Sequence, residues 1–114
     1  MHDVDLREAN LSESNLKDVD LRKTSLGGVN LRLADLKGAN LSDQDLRGVD
    51  LSNADLRDAS LNNANLEWAN LSGADLADAN LSGAVWNDET VFPEGFEIPE
   101  MSRDLDWQDG DFGL

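Results

Sequence analysis

Leucine recurs at every fifth position of this chain from Leu6 to Leu81, sixteen times without interruption. Five residues of α-helix turn through about 500°, so a helix would spread these leucines around all of its sides. In a strand, successive leucines would alternate between the two faces. A chain that turns a corner every five residues, always in the same sense, sends all of them to one interior. The period therefore predicts a solenoid with a single leucine core along its axis.

The residues around each leucine follow a pattern of their own. The position two before the leucine, or before Trp86 in the last unit, is Ala in ten of seventeen units and Val in four more, which predicts small inward side chains. The position one before is Asp or Asn in fourteen of the sixteen leucine units. These residue types favour turns and bond to nearby backbone, so we expect them at the corners. The two positions after the leucine vary, as solvated positions do.

Five of the units read ADLKG, ANLSD, ADLRD, ANLEW and ADLAD. In this motif the chain resembles the pentapeptide repeat family, and the later segment TVFPEGF is similar to the ending of many bacterial members. The resemblance implies an all-β fold, a right-handed quadrilateral β-helix with four pentapeptides per coil. Residues 2–86 would then form slightly more than four coils, and residues twenty apart would stack on the same side.

The five-residue pattern ends at Trp86, and five of the six aromatic residues lie from this position onward. The open end of a solenoid core needs a cover. We therefore expect residues 1–86 to form the β-helix, residues 87–107 to form a C-terminal cap with a short helix after Pro99, and residues 108–114 to form a frayed acidic tail. The expected cap residues are Trp86, Phe92, Phe96, Ile98 and Trp107.

The formal net charge of −15 divides into −7 for residues 1–86 and −8 for residues 87–114. This balance disfavours direct binding to nucleic acid and to anionic membranes. No apolar run is long enough to span a bilayer, and the first residues lack the features of a secretory signal, so we expect a cytoplasmic protein. Little sequence precedes the first coil, which predicts either a monomer or a homodimer that pairs through a coil end.

The sequence offers little for catalysis. His2 is the only histidine, Cys and Tyr are absent, and neither a nucleophile motif nor a phosphate-binding loop is present. We expect a protein that is not an enzyme and that uses no cofactor and no metal. The family resemblance implies a rigid protein-interaction module, whose protein partner the sequence does not identify. The alternative is a DNA mimic that regulates or protects a DNA-binding protein such as DNA gyrase, as a dimer. A 20 Å length of duplex DNA carries about 12 negative charges, whereas residues 1–86 carry a net charge of −7. This difference favours the interaction module.

Four residues depart from the pattern and are candidates for special roles. Leu33 and Trp68 are apolar at outward positions, as contact residues often are, although incidental exposure or coverage by the C-terminal segment is the alternative for Trp68. Thr24 and Gln44 replace Ala or Val at inward positions twenty apart. A buried amide needs partners, for which the Thr24 hydroxyl, a water or a corner carbonyl is expected, and a packing role is favoured over a functional site.

Overall fold

The backbone of this chain completes one coil for every twenty residues. The computed structural model describes residues 2–99, and among them it contains two short strands and no helix. Strand β1 (His2–Asp5) and strand β2 (Lys23–Ser25) pair in parallel, with Val4 opposite Thr24. The second strand thus lies directly on the first, one coil higher.

Isolated bridges between successive coils continue this parallel pairing along the rod. Eleven of the twelve bridges join residues twenty apart, as between Asn10 and Asn30. Twenty residues are four five-residue units, so each coil has four sides, and the predicted right-handed quadrilateral β-helix is confirmed. The last bridge joins Asn70 to Val91, so backbone pairing continues past the expected end of the β-helix at residue 86.

All sixteen leucines of the repeat face one core. Every fifth residue from Leu21 to Leu71 is at most 2% exposed, and Leu76 is 6% exposed. The leucines nearest the two ends are half-buried against this core, namely Leu6, Leu11, Leu16 and Leu81. The inward assignment of the leucines, predicted from their period, is confirmed.

The corners of the coil lie at the two positions after each leucine, so the expectation that the preceding Asp or Asn forms the corner is wrong. The second residue after the leucine has a φ between 59° and 73° in every described unit except that of Lys23. The next N–H then donates to the leucine carbonyl, as Val19 does to Leu16 at 3.2 Å. The Asp or Asn before the leucine is the residue that pairs with the neighbouring coil.

The side chain of that Asp or Asn bonds to the residue just after the leucine. Asn40 Oδ1 accepts hydrogen bonds from the Ser42 N–H at 3.1 Å and from the Ser42 hydroxyl at 2.7 Å. Asp50 and Ser52 are joined in the same way, at 3.0 and 2.6 Å. Both serines are buried as a result, although their position in the repeat was expected to be solvated.

Residues twenty apart stack into columns, and these columns define four sides of the solenoid. Side 1 contains residues 4–8, 24–28, 44–48, 64–68 and 84–88, and the units beginning at residues 9, 14 and 19 start sides 2, 3 and 4. A surface feature of this fold therefore consists of residues from one side of successive coils.

Candidate interaction surface

The two candidate contact residues are exposed, but they lie on different sides of the solenoid. Leu33 is 43% exposed on side 2, and Trp68 is 55% exposed on side 1. Of the C-terminal segment, whose coverage of Trp68 was the alternative from the sequence, residues 87–99 leave the indole exposed, and the later residues lie outside the described range. Leu33 and Trp68 are therefore separate candidate residues and do not form one patch.

Both residues occupy the left-handed corner position, with a φ of 63° at Leu33 and 62° at Trp68. A residue with a Cβ is disfavoured in this conformation by about 1–2 kcal/mol, whereas Gly adopts it freely and Asn and Asp tolerate it. Eleven of the fifteen corner residues with positive φ are Gly, Asn or Asp. Leu33 and Trp68 are the apolar exceptions, placed on the surface against the preference of the backbone.

Side 1 carries a shallow groove that ends at Trp68. One part of the groove has a volume of about 340 Å³, and an adjoining part has a volume of about 450 Å³. Gly27 lines both parts, so the two adjoin at this residue, and together we call them the side-1 groove. Its lining residues are Asp5, Arg7, Glu8 and Gly27 in the lower part and Gly27, Asp45, Arg47, Gly48 and Trp68 in the upper part.

Each arginine of the groove is bonded to the aspartate two residues before it. Arg7 Nε and Nη2 donate to Asp5 at 2.9 and 2.8 Å, and Arg47 donates to Asp45 in the same way at 2.8 and 2.7 Å. The bonds from Arg7 lower the pKa of Asp5 to about 2, and those from Arg47 lower the pKa of Asp45. Since each guanidinium has its own carboxylate, the two arginines do not make the groove positive.

Gln44 and Thr24 lie one above the other in the core, as their spacing predicts. Gln44 is 7% exposed, and its Nε2 donates to the carbonyl oxygens of Leu21 at 2.7 Å and Arg22 at 2.8 Å. The expected corner carbonyls are therefore its partners, whereas the buried Thr24 hydroxyl has no hydrogen-bond partner among the described residues. Both side chains are buried, and the packing role expected for the pair stays a prediction.

Three aromatic rings cover the C-terminal end of the leucine core. Trp86 and Phe92 meet edge to face with ring centroids 5.4 Å apart, and Phe92 stacks on Phe96 at 5.7 Å. All three side chains are half-buried against the core. The Thr90 hydroxyl donates to the Leu66 carbonyl at 2.8 Å and attaches this segment to the last coil.

The rest of the expected cap differs from this cluster. Ile98 was expected to cover the core, but its side chain is 51% exposed and does not do so. Its neighbour Pro99 ends the described range, and the expected short helix, Trp107 and the acidic tail lie outside it.

Two further properties bear on chemistry and location. Within residues 2–99, no group of three or more His, Cys, Asp or Glu side chains is placed to hold a metal ion. The same part of the chain contains no helix with the length and apolar character that crossing a bilayer requires.

Comparison with known proteins identifies the family. A sequence model described as pentapeptide repeats matches the chain in eight copies, over residues 1–38, 34–73 and 50–85. The chain belongs to the pentapeptide repeat family. No match was found among curated protein sequences.

Two solved pentapeptide repeat structures are similar to this member over most of its length. The protein Rfr23 from the cyanobacterium Cyanothece 51142 is 37% identical, with a TM-score of 0.77, and the match covers 81% of this chain and 63% of Rfr23. The protein alr5209 from Nostoc Pcc 7120 is 44% identical, with a TM-score of 0.79, and the match covers 82% of this chain and 77% of alr5209. This pentapeptide repeat protein thus spans less than two thirds of Rfr23.

Sequence reasoning found the unusual residues of this pentapeptide repeat protein but missed its groove. Leu33 and Trp68 were visible because apolar residues interrupt a polar position. The signal for the groove was also present, since Gly28 and Gly48 fall in one column and Gly27 beside them when the sequence is written in rows of twenty. Glycine at successive levels of one side removes the side chains that would fill the space between the neighbouring arginines.

Proposed function

We propose that this pentapeptide repeat protein is a rigid, non-enzymatic scaffold that binds a partner protein through side 1. The observation that carries the proposal is the exposed indole of Trp68 at the end of the side-1 groove. Tryptophan is among the residues most enriched at binding hot spots. The left-handed corner makes it an unfavourable choice for the solenoid itself, which supports a role in contact with another molecule.

The backbone around the groove supports binding by a preformed surface. The Leu46 N–H donates to the Asn65 carbonyl at 2.9 Å, and the Gly48 N–H donates to the Glu67 carbonyl at 3.0 Å. The Glu8 N–H donates to the Gly27 carbonyl at 2.9 Å in the same way, whereas no such bond joins residues 24–28 to residues 44–48. A surface that is already ordered loses little conformational freedom on association, and this favours affinity for a matching partner.

Imitation of DNA, the alternative function, receives less support from the surface charges. Duplex DNA carries about one phosphate charge per 1.7 Å, with no covalently attached positive groups among the phosphates. On this solenoid an arginine is bonded to each of four aspartates spread over three sides, namely Asp5, Asp20, Asp45 and Asp55. We therefore expect micromolar protein to leave supercoiling by DNA gyrase unchanged. A clear, salt-dependent effect in that assay would favour mimicry.

Replacement of Trp68 by glycine tests the scaffold proposal, with Leu33→Gly as the matched control. Both variants remove an exposed apolar side chain and install the residue best suited to the left-handed corner. The wild-type protein and the two variants are immobilised and exposed to an extract of the source organism. Bound proteins are identified by mass spectrometry, and the affinity of each purified candidate is then measured.

We expect the extract to yield at least one protein that binds the wild type and Leu33→Gly with equal affinity. The same protein should bind Trp68→Gly at least about tenfold more weakly, as loss of a hot-spot residue implies. Circular dichroism should show the same fold for all three. If every bound protein is retained by Trp68→Gly, side 1 is not the binding surface. Pairing of two copies through a coil end stays a prediction, which analytical ultracentrifugation of the wild type tests.

A further inference from the structure

Four residues of side 1 form one column at the left-handed corner position. They follow each other at intervals of twenty residues and are Glu8, Gly28, Gly48 and Trp68. Levels joined by backbone hydrogen bonds, as those of Glu8 and Gly28 and those of Gly48 and Trp68 are, lie about 4.8 Å apart. This run of left-handed residues therefore has an acid at its lower end, an indole at its upper end and two levels without side chains between them, and Asp88 follows Trp68 at the next level.

The space between these ends is partly filled by Glu8. A Cβ built on Gly28 would lie 2.8 Å from the Glu8 Cδ and would collide with Oε2, so the Glu8 carboxylate lies over Gly28. A Cβ built on Gly48 would meet no atom within 4 Å, so the space over Gly48 is open. Trp68 lines the same opening as Gly48. An empty slot thus lies between a carboxylate and an indole.

The charges around the slot are negative on balance. Arg47 faces it, but that guanidinium is held by Asp45 at 2.7 Å and is further stabilised by Glu67. Arg7, at the lower end, is held by Asp5 at 2.8 Å.

The carboxylate of Glu8 differs from those of the two aspartates, because it forms no ion pair or hydrogen bond within the described part of the chain. A cation entering the slot therefore meets an unpaired carboxylate and two arginines whose charges are already matched.

We propose that the slot binds an arginine side chain from a basic segment of the partner protein. A guanidinium is planar and can stack on the Trp68 indole while it donates hydrogen bonds to the Glu8 carboxylate. The proposal rests on the scaffold function, and it adds the chemistry of the partner. It also accounts for two unfavourable corner residues, because Glu8 and Trp68 both contact the bound cation.

A short peptide measures this binding directly. The probe is an acetylated and amidated peptide of one arginine flanked by two glycines on each side, and its counterpart carries citrulline, which has the same shape without the charge. Backbone amide and indole N–H signals of the ¹⁵N-labelled full chain are followed by NMR during titration to millimolar peptide. The Trp68 indole signal is assigned from its absence in Trp68→Gly.

We expect the arginine peptide to shift the signals of Gly28, Gly48 and the Trp68 indole, and the citrulline peptide to leave them in place. Trp68→Gly and Glu8→Gln should each weaken binding by about two- to fivefold, the range expected for an exposed cation–π contact or ion pair. Glu13→Gln, at the same corner position on side 2, is the control and should bind as the wild type does.

Three results would overturn the arginine assignment: no shift at the highest peptide concentration, equal shifts with citrulline, or unchanged affinity in Glu8→Gln. These outcomes are separate from the fate of the scaffold proposal. If a partner depends on Trp68 but the arginine peptide does not bind the slot, the scaffold stands and the partner chemistry is wrong. If the peptide binds the slot but no partner depends on Trp68, the cation site stands without the scaffold.

Discussion

Replacing Gln44 by alanine tests how the one irregular corner of the solenoid is stabilised. Ala is the commonest residue at this position of the repeat, so repeat statistics alone predict that Gln44→Ala is neutral or stabilising. The structure predicts the opposite. Lys23 is the corner residue without a positive φ, and the carbonyls just before it, those of Leu21 and Arg22, accept both hydrogens of the Gln44 amide.

The expected loss can be worked from these contacts. Two hydrogen bonds contribute about 1 kcal/mol each, and burial of the side-chain methylene contributes about 0.8 kcal/mol. Water that enters the vacated corner recovers part of this loss, so we expect Gln44→Ala to lower the free energy of unfolding by about 2 kcal/mol. For a chain of this size, the melting temperature should fall by roughly 10 °C.

Thermal and urea unfolding followed by circular dichroism measure this loss. Gln44→Met is the matched variant, because methionine keeps most of the buried volume but cannot donate to the carbonyls. The difference between the wild type and the methionine variant reports the hydrogen bonds, and the difference between methionine and alanine reports the packing. An alanine variant as stable as the wild type would refute the reasoning, because the amide would then be dispensable at this corner.

The remaining predictions concern single contacts of the core, the corners, the cap and the surface. Thr24→Val should raise the free energy of unfolding by about 1 kcal/mol, because it removes a buried hydroxyl that has no partner among the described residues; a lower melting temperature would contradict this. Glu13→Gly should raise it by up to about 1 kcal/mol, since Glu13 has a φ of 63°, and a loss of stability in urea would refute the corner argument. Phe92→Ala should lower it by about 2 kcal/mol because the ring contacts two others, whereas the exposed Ile98→Ala should change it by less than about 0.5 kcal/mol; equal losses in thermal melts would contradict this assignment of the cap. The hydrogen bonds from Arg57 lower the pKa of Asp55 from 3.8 to about 2. The stability that this pair contributes is therefore present above pH 3.8 and is lost as the pH falls to 2. In Arg57→Gln the melting temperature should therefore fall less steeply between pH 4 and pH 2, and identical slopes would argue against the pair.

The core could be predicted from the sequence because burial alone decides which residues occupy it. Leucines at every fifth position can share one core only if the chain turns a corner every five residues. The structure buries Leu46 and Leu56 completely, as this period requires. The special role of Gln44 was also visible, since a polar residue in an apolar column needs partners. The identity of those partners depended on the irregular corner at Lys23, which the repeat does not reveal.

The corners could not be placed correctly because two positions of the repeat carry turn-favouring residues. The Asp or Asn before the leucine was predicted to form the corner. Its backbone instead pairs with the next coil, and only its side chain bonds locally, as in Asn40. The left-handed position two after the leucine is shared among Gly, Asp and Asn, and exceptions such as Glu13 and Leu33 obscure the preference. The exposure of Ile98 depends on the path of the chain after the last coil, where no repeat constrains it.

The twenty-residue coil determines which side chains share a column on the surface. Glu8 and Trp68 face the same slot because sixty residues separate them, which is a whole number of coils. Deleting one pentapeptide between them would preserve the leucine core and the remaining corners, yet it would rotate Trp68 by a quarter turn about the axis, away from Glu8. A protein of this kind can therefore acquire or lose a binding site through a shift in phase, with no substitution at any residue that touches the ligand.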